Sequence, residues 1–203
     1  MQLKDKLKSG VWKKVAFLGL GFLFLSGTVV VGFLVWLALN LPKLNNMQDY
    51  RPALGSQVLA RDGRVIGEYY DNERRYLVGV DDIPEYVIRA FLSAEDEHFF
   101  DHAGVDLLSI LRAALANFRA GGVRQGGSTI TMQVAKGLLL SSERTFGRKL
   151  REILLAYKIE KSFPKRQILY LYLNHVYFGQ RSYGVEAAAR SYFHKRKIGR
   201  AHV

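Results

Sequence analysis

The chain has 203 residues, no cysteine and a formal net charge of +12. That leaves room for one ordinary domain plus an appendage and excludes a disulfide framework or a thiolate metal site. The charge is uneven: residues 49–106 carry 6 basic and 13 acidic side chains, whereas 112–166 carry 12 basic and 3 acidic.

The first expected element is a membrane anchor. Val15 to Leu41 runs 27 residues without a charge, and roughly 20 apolar residues span a bilayer core. Five lysines precede it, so the positive-inside rule makes 1–14 a cytoplasmic tail and puts everything after Leu41 outside. A cleaved signal peptide has a shorter apolar region and a small-x-small site, which Leu37-Ala38-Leu39-Asn40 does not offer. The anchor is therefore expected to stay, with 42–55 as a linker.

Beyond the linker, Asp62-Gly63-Arg64 separates two β-prone runs, Ser56–Arg61 and Val65–Tyr70, and predicts a β-hairpin. The rest reads as helix. Asp81-Asp82-Ile83-Pro84 starts the first, with Pro84 in its first turn and Glu95 at the end of its apolar stripe. Asp106 caps the second, whose Leu107, Leu108, Leu111, Leu115 and Phe118 form one stripe. Ala120–Gly127 is a glycine-rich loop, and Ser128 begins a third helix toward Leu140. Thr145–Lys161 is a fourth, with Leu150, Ile153, Leu154 and Tyr157 facing inward. Lys165–Val176 and Gly184–Phe193 are the fifth and sixth. The expected fold class is mainly α, with one small hairpin and a preceding transmembrane helix.

The chemistry concentrates around two glutamates, Glu95 and Glu152. Between them the turn Gln125-Gly126-Gly127-Ser128-Thr129 runs into a helix N-terminus, a place suited to an anion. One carboxylate can take a proton while the other helps arrange a leaving group. A basic stretch is most often a solvated face, but here it surrounds the glycine turn. The pattern points to group transfer from a phosphorylated donor. The bland alternatives are a solvated helix acid for Glu95, an intrahelical ion pair with Arg148 and Lys149 for Glu152, and simple N-capping for Ser128 and Thr129.

Five ordered motifs between about Tyr50 and Phe193 carry a resemblance. They are Glu95-Asp96 with Phe99 and His102-Ala103-Gly104; Gly127-Ser128-Thr129-Ile130-Thr131-Met132-Gln133; Arg148-Lys149-Leu150-Arg151-Glu152; Lys165 to Asn174; and Gly184 to Phe193. Together they resemble the peptidoglycan glycosyltransferase domain of class A penicillin-binding proteins. Two positions depart from that pattern: Met132 stands where the family usually has Gln, near its substrate-side polar cluster, and Tyr170 where it usually has Glu.

The resemblance implies a lysozyme-like, mainly α domain over 56–193, with a cleft between a head and a membrane-facing jaw. It implies lipid II and the growing glycan strand as partners, alongside membrane lipids and other cell-wall synthesis proteins, with no nucleic acid. It places the anchor in the inner membrane and the domain on the periplasmic side. Glu95 becomes the candidate base and Glu152 the organiser of the cations. Substrate contacts fall to Asp96, Phe99, His102, Gly127, Ser128, Thr129, Thr131, Gln133, Lys136, Arg144, Arg148 and Lys149. An inverting transfer needs no cofactor; a divalent ion such as Mg or Mn can assist, though no ligand cluster demands one. His102 reads as a loop-fixing hydrogen bonder rather than an acid–base group. His98 and His175 have no ligand spacing. Asn174 reads as stabilising a helix end, and Tyr172, Tyr177, Phe178, Tyr192 and Phe193 as core.

Two other function classes fit parts of the pattern: a lysozyme-like lytic hydrolase, which does not need the cation set, and a noncatalytic membrane tether, which is the reading of an inactive fragment. The lone Ser-x-x-Lys, Ser162 to Lys165, has no downstream Lys-Thr-Gly and reads as coincidence. The tail 194–203 is expected to be artefactual. Ile198-Gly199-Arg200-Ala201-His202-Val203 is what ATC-GGA-AGA-GCA-CAC-GTC encodes, a string resembling a sequencing adapter, so the gene is expected to continue.

Overall fold

A computed structural model describes residues 2–44, 47, 51–124, 126–140 and 146–194. Parts of the expected linker, Arg144, Thr145 and the tail after His194 lie outside the described residues. The chain divides into two units, Met1–Leu41 and Pro42–Val203.

The first unit is one helix, α1 (Gln2–Leu39). Its stretch Lys14–Leu39 is long and apolar enough to cross a membrane. The helix stops two residues short of the expected Leu41. Asn40 turns back on the last turn, its backbone N–H and side-chain amide both donating to the Trp36 carbonyl.

The second unit is mainly helical, as expected. Strands β1 (Ser56–Leu59) and β2 (Val65–Tyr69) pair antiparallel around the Asp-Gly turn, with Gly63 at φ 81°. Then come β3 (Arg74–Arg75) and a short 3-10 turn (Val80–Asp82). The six expected helices follow as α2 (Glu85–Glu95), α3 (Leu107–Ala120), α4 (Ile130–Leu139), α5 (Phe146–Ser162), α6 (Lys165–His175) and α7 (Val185–Phe193). Strand β4 (Ser182–Tyr183) pairs parallel with β3. Pro84 is the N-cap of α2 rather than part of its first turn, because residues 80–82 already wind as the 3-10 turn.

Helices α4 and α6 form the centre, and α5 packs on both. Ile130, Met132, Val134 and Ala135 of α4 and Ile168, Leu169, Leu171 and Leu173 of α6 are buried. Burying each large aliphatic side chain contributes about 1.5–3 kcal/mol. Met132 is fully buried, so this departure sits in the core and not in a polar cluster.

Two expectations about burial are corrected, and the α3 stripe acquires a direction. The inward face of α5 is Glu152, Leu155, Ala156 and Ile159, two residues on from the expected stripe, while Tyr157 is exposed under the Lys161 ammonium. The α3 stripe faces outward: Leu107, Leu108, Leu111 and Phe118 are 66–87% exposed. Of the five aromatics expected in the core, Tyr172 is buried, but Tyr177, Tyr192 and Phe193 are exposed.

Asn174 does more than finish a helix. Its side-chain amide donates to the Val78 and Tyr170 carbonyls and accepts from Val78 N–H, tying the segment before α2 to α6. Gly184 lies against it at φ 83°, where a Cβ would come within 2.9–3.1 Å of the Asn174 backbone.

Candidate active site

Glu95 is the last residue of α2 and is exposed. Its Oε2 accepts a hydrogen bond from Gln133 Nε2 at 2.8 Å. Gln133 and Tyr172 line a hollow of about 370 Å³, together with Lys136, Gly137, His175 and Tyr177. Burial, and then the charge of Glu95, push the Tyr172 phenol above its ordinary range, and the Gln133 hydrogen bond ties Glu95 to a residue that lines the hollow. Tyr172 and Tyr177 were expected only as core. Tyr172 is core as well, and that both line the hollow depends on how α6 ends, which local pattern does not reveal.

Glu152 is almost fully buried on α5. Its Oε2 accepts from Lys149 Nζ at 2.9 Å, and its Oε1 lies 3.2 Å from Arg148 Nε in an ion pair too bent to be a hydrogen bond. The intrahelical pairing is therefore present, but its carboxylate is inside the protein, unlike an ordinary surface pair. Lys149 Nζ also donates to Ser128 Oγ at 2.7 Å. Ser128 precedes α4 and Gln133 lies within it, so one short segment holds both glutamates.

The expected anion cradle at the start of α4 is already filled from within. Asp96, buried and next to Glu95, accepts the Ile130 N–H at 2.9 Å through Oδ2. Thr129, not Ser128, is the N-cap; its Oγ1 accepts the Met132 N–H and donates to the Gly104 carbonyl at 2.6 Å. Two amides that a ligand would need are thus taken. The cationic groups that remain near this helix start are Lys149, whose side chain is 45% exposed, and Arg148, with Lys136 exposed on α4.

The remaining expected contacts separate into two groups. Gln133, Ser128, Arg148 and Lys149 stand around the two glutamates, and Lys136 lines the hollow with Gln133. Asp96, Phe99, Thr129 and Thr131 are buried, so in this fold they position the site instead of lining it. Gly127 likewise serves close packing, since a Cβ there would lie 3.1 Å from the Ile110 Cα.

His102 keeps a structural part. The Gly104 N–H donates to its Nδ1 at 3.1 Å, so the proton sits on Nε2, which donates to Asp96 at 3.0 Å. A neutral imidazole satisfies both bonds. The Ser-x-x-Lys pair is engaged elsewhere: Ser162 Oγ donates to the Lys158 carbonyl and Lys165 Nζ to Glu160.

Comparison with known proteins shows the family. The transglycosylase family model matches residues 62–198. Penicillin-binding protein 1A of Neisseria flavescens is 48% identical over 173 residues, covering 85% of this chain and 21% of that protein. The protein of the same name from Aquifex aeolicus is 46% identical over 179 residues, 87% of this chain and 24% of its own length. That of Neisseria gonorrhoeae is 47% identical over 169 residues, covering 83% and 21%. The chain thus spans between a fifth and a quarter of the length of these curated relatives. With the family model covering most of its residues, the chain belongs to the transglycosylase family.

Proposed function

We propose that the chain is a peptidoglycan glycosyltransferase that polymerises lipid II into β-1,4-linked glycan strands and releases undecaprenyl pyrophosphate. The observation that carries this reading is the joint anchoring of the two carboxylates on segment 128–133: Glu95 through Gln133, Glu152 through Lys149 and Ser128.

In this reading Glu95 accepts the proton of the acceptor sugar's 4-hydroxyl. The oxygen then forms a bond to the anomeric carbon of the donor while the bond to pyrophosphate breaks on the opposite face, inverting the centre. The departing charge is met by Lys149, Arg148 and Lys136. Glu152 keeps the first two cations aimed and prevents their mutual repulsion from splaying them. The reaction needs no cofactor, and a divalent cation can assist the pyrophosphate. The partners are lipid II, the growing strand and membrane lipids, with other cell-wall synthesis proteins as candidates. The outward apolar face of α3, beside Arg112 and Arg119, suits a lipid interface where the polyprenyl chain lies. The lysine-rich N-terminus faces the cytoplasm and the domain faces the periplasm.

The test is to incubate the full chain in detergent with purified lipid II and separately with finished glycan. Polymer from the first supports the proposal. Fragments from the second, with none from the first, identify a lytic hydrolase instead.

A further inference from the structure

We infer that Lys165, paired with Glu160, is a positioning residue that clamps the loop behind Glu95, and so acts on the transfer without touching substrate. This rests on the function proposed above.

Lys165 opens α6, and its ammonium makes three contacts. It donates to the His102 carbonyl at 2.7 Å and to Glu160 Oε1 at 2.8 Å, and it stands 4.5 Å over the Phe99 ring. Two of the three lie on the loop that follows Glu95. Glu160 on α5 is 7% exposed at its side chain, and the same Oε1 also accepts the Thr131 hydroxyl of α4 at 2.6 Å. One ion pair with a buried carboxylate and a part-buried ammonium therefore joins the loop, α4, α5 and α6.

Its effect on Glu95 can be traced bond by bond. The gripped residue, His102, donates from its ring to Asp96, which immediately follows Glu95. Asp96 in turn holds the first N–H of α4, the helix whose Gln133 orients the Glu95 carboxylate. Thr129 closes the ring by donating to Gly104. Gly104 packs so tightly on α5 that a Cβ would lie 2.8 Å from the Ala156 carbonyl and 3.0 Å from Glu160. The loop is thus fixed at one end by Asp96 and at the other by Gly104, and Lys165 holds its middle from outside. An ion pair serving stability alone has no need to reach the His102 carbonyl. Small displacements of a reacting group cost rate more than binding, so the grip should appear in turnover.

The experiment uses the full chain and two variants. Lys165→Met alone strands the buried Glu160 carboxylate and should lower both melting temperature and activity. The double variant Lys165→Met/Glu160→Gln removes both charges and leaves the Thr131 hydroxyl an acceptor. It is expected to melt within a few degrees of the wild type, yet to show kcat for lipid II polymerisation reduced at least about tenfold with KM within about twofold. Full recovery of kcat together with melting temperature would overturn the inference, because the pair would then be structural only. A second arm needs no mutation and no activity: amide exchange in the wild-type chain. Gly104 and Ile130 should both be protected. Exchange of Gly104 at open-loop rates overturns the clamp even if the double variant does not fold. Absence of polymer from the wild type with Gly104 protected indicts the proposed function instead.

Discussion

Gln133 Nε2 donates to Glu95 Oε2 at 2.8 Å, joining the last residue of α2 to the second turn of α4. The relationship solves a local problem. A carboxylate at a helix C-terminus faces the negative end of the helix dipole, and an exposed glutamate there has no preferred direction. The amide supplies one, and it comes from a residue that itself lines the hollow.

Replacing Glu95 by Gln should therefore separate chemistry from folding. The side chain is exposed, so the melting temperature should move by no more than about 2 °C. Loss of a general base costs roughly 10²–10⁴ in rate. Polymer yield from lipid II, read beside a thermal melt, checks both. An unchanged yield would make Glu95 a solvated helix acid and favour a membrane tether.

The Lys149–Glu152 pair leads to a different expectation. Lys149→Met leaves the buried Glu152 Oε2 without its donor and removes a cation from the proposed pyrophosphate site. Stranding a buried acceptor costs about 1–3 kcal/mol. The cost should fall largely away in Lys149→Met/Glu152→Gln, whereas activity should not return. Urea unfolding of the two variants against the wild type measures the first part, and polymerisation the second.

How much of this was legible beforehand depended on the range of the interaction. The hairpin, the Asp106 cap and the position of Glu95 at a helix end are local, set by residues within four of one another, and the sequence shows them directly. The face of α5 was misjudged because only apolar residues, Leu150, Ile153, Leu154 and Tyr157, were counted toward its inward stripe. Once Lys149 and Arg148 accompany it, the Glu152 carboxylate can occupy the buried stripe, which shifts the inward face by two residues. The filled N-terminus of α4 was not legible at all. Asp96 reaches Ile130 across 34 positions, and nothing in the glycine turn signals that a carboxylate of the same chain arrives first. The α3 stripe was legible as one apolar face but not its direction, because periodicity does not say what such a face meets.

Gly104→Ala is expected to be among the most damaging single changes. The residue has φ 96°, which a β-carbon disfavours, and the added carbon would sit 2.8 Å from the Ala156 carbonyl. Backbone strain and overpacking each cost about 1–3 kcal/mol. A loss of at least ~2 kcal/mol in urea unfolding, with weakened protection of the Ile130 amide, is the expected result. A variant as stable as the wild type would show that the loop can move off α5.

The pH dependence of stability should carry the signature of His175. Burial, and then the nearby Arg75 guanidinium, hold its pKa below the ordinary 6.5. In the unfolded chain the imidazole recovers a value near 6.5. As pH falls below that value, the unfolded state takes up the proton first, so folding stability declines until the folded-state pKa is passed. Above about pH 7 both states are neutral and the contribution is flat. Melting temperature recorded from pH 8 to pH 5 should therefore fall on the acid side. His175→Gln, which has no proton to take up in this range, should reduce that slope. An identical slope in wild type and variant would assign the acid sensitivity to other groups and leave His175 free to charge in place against Arg75.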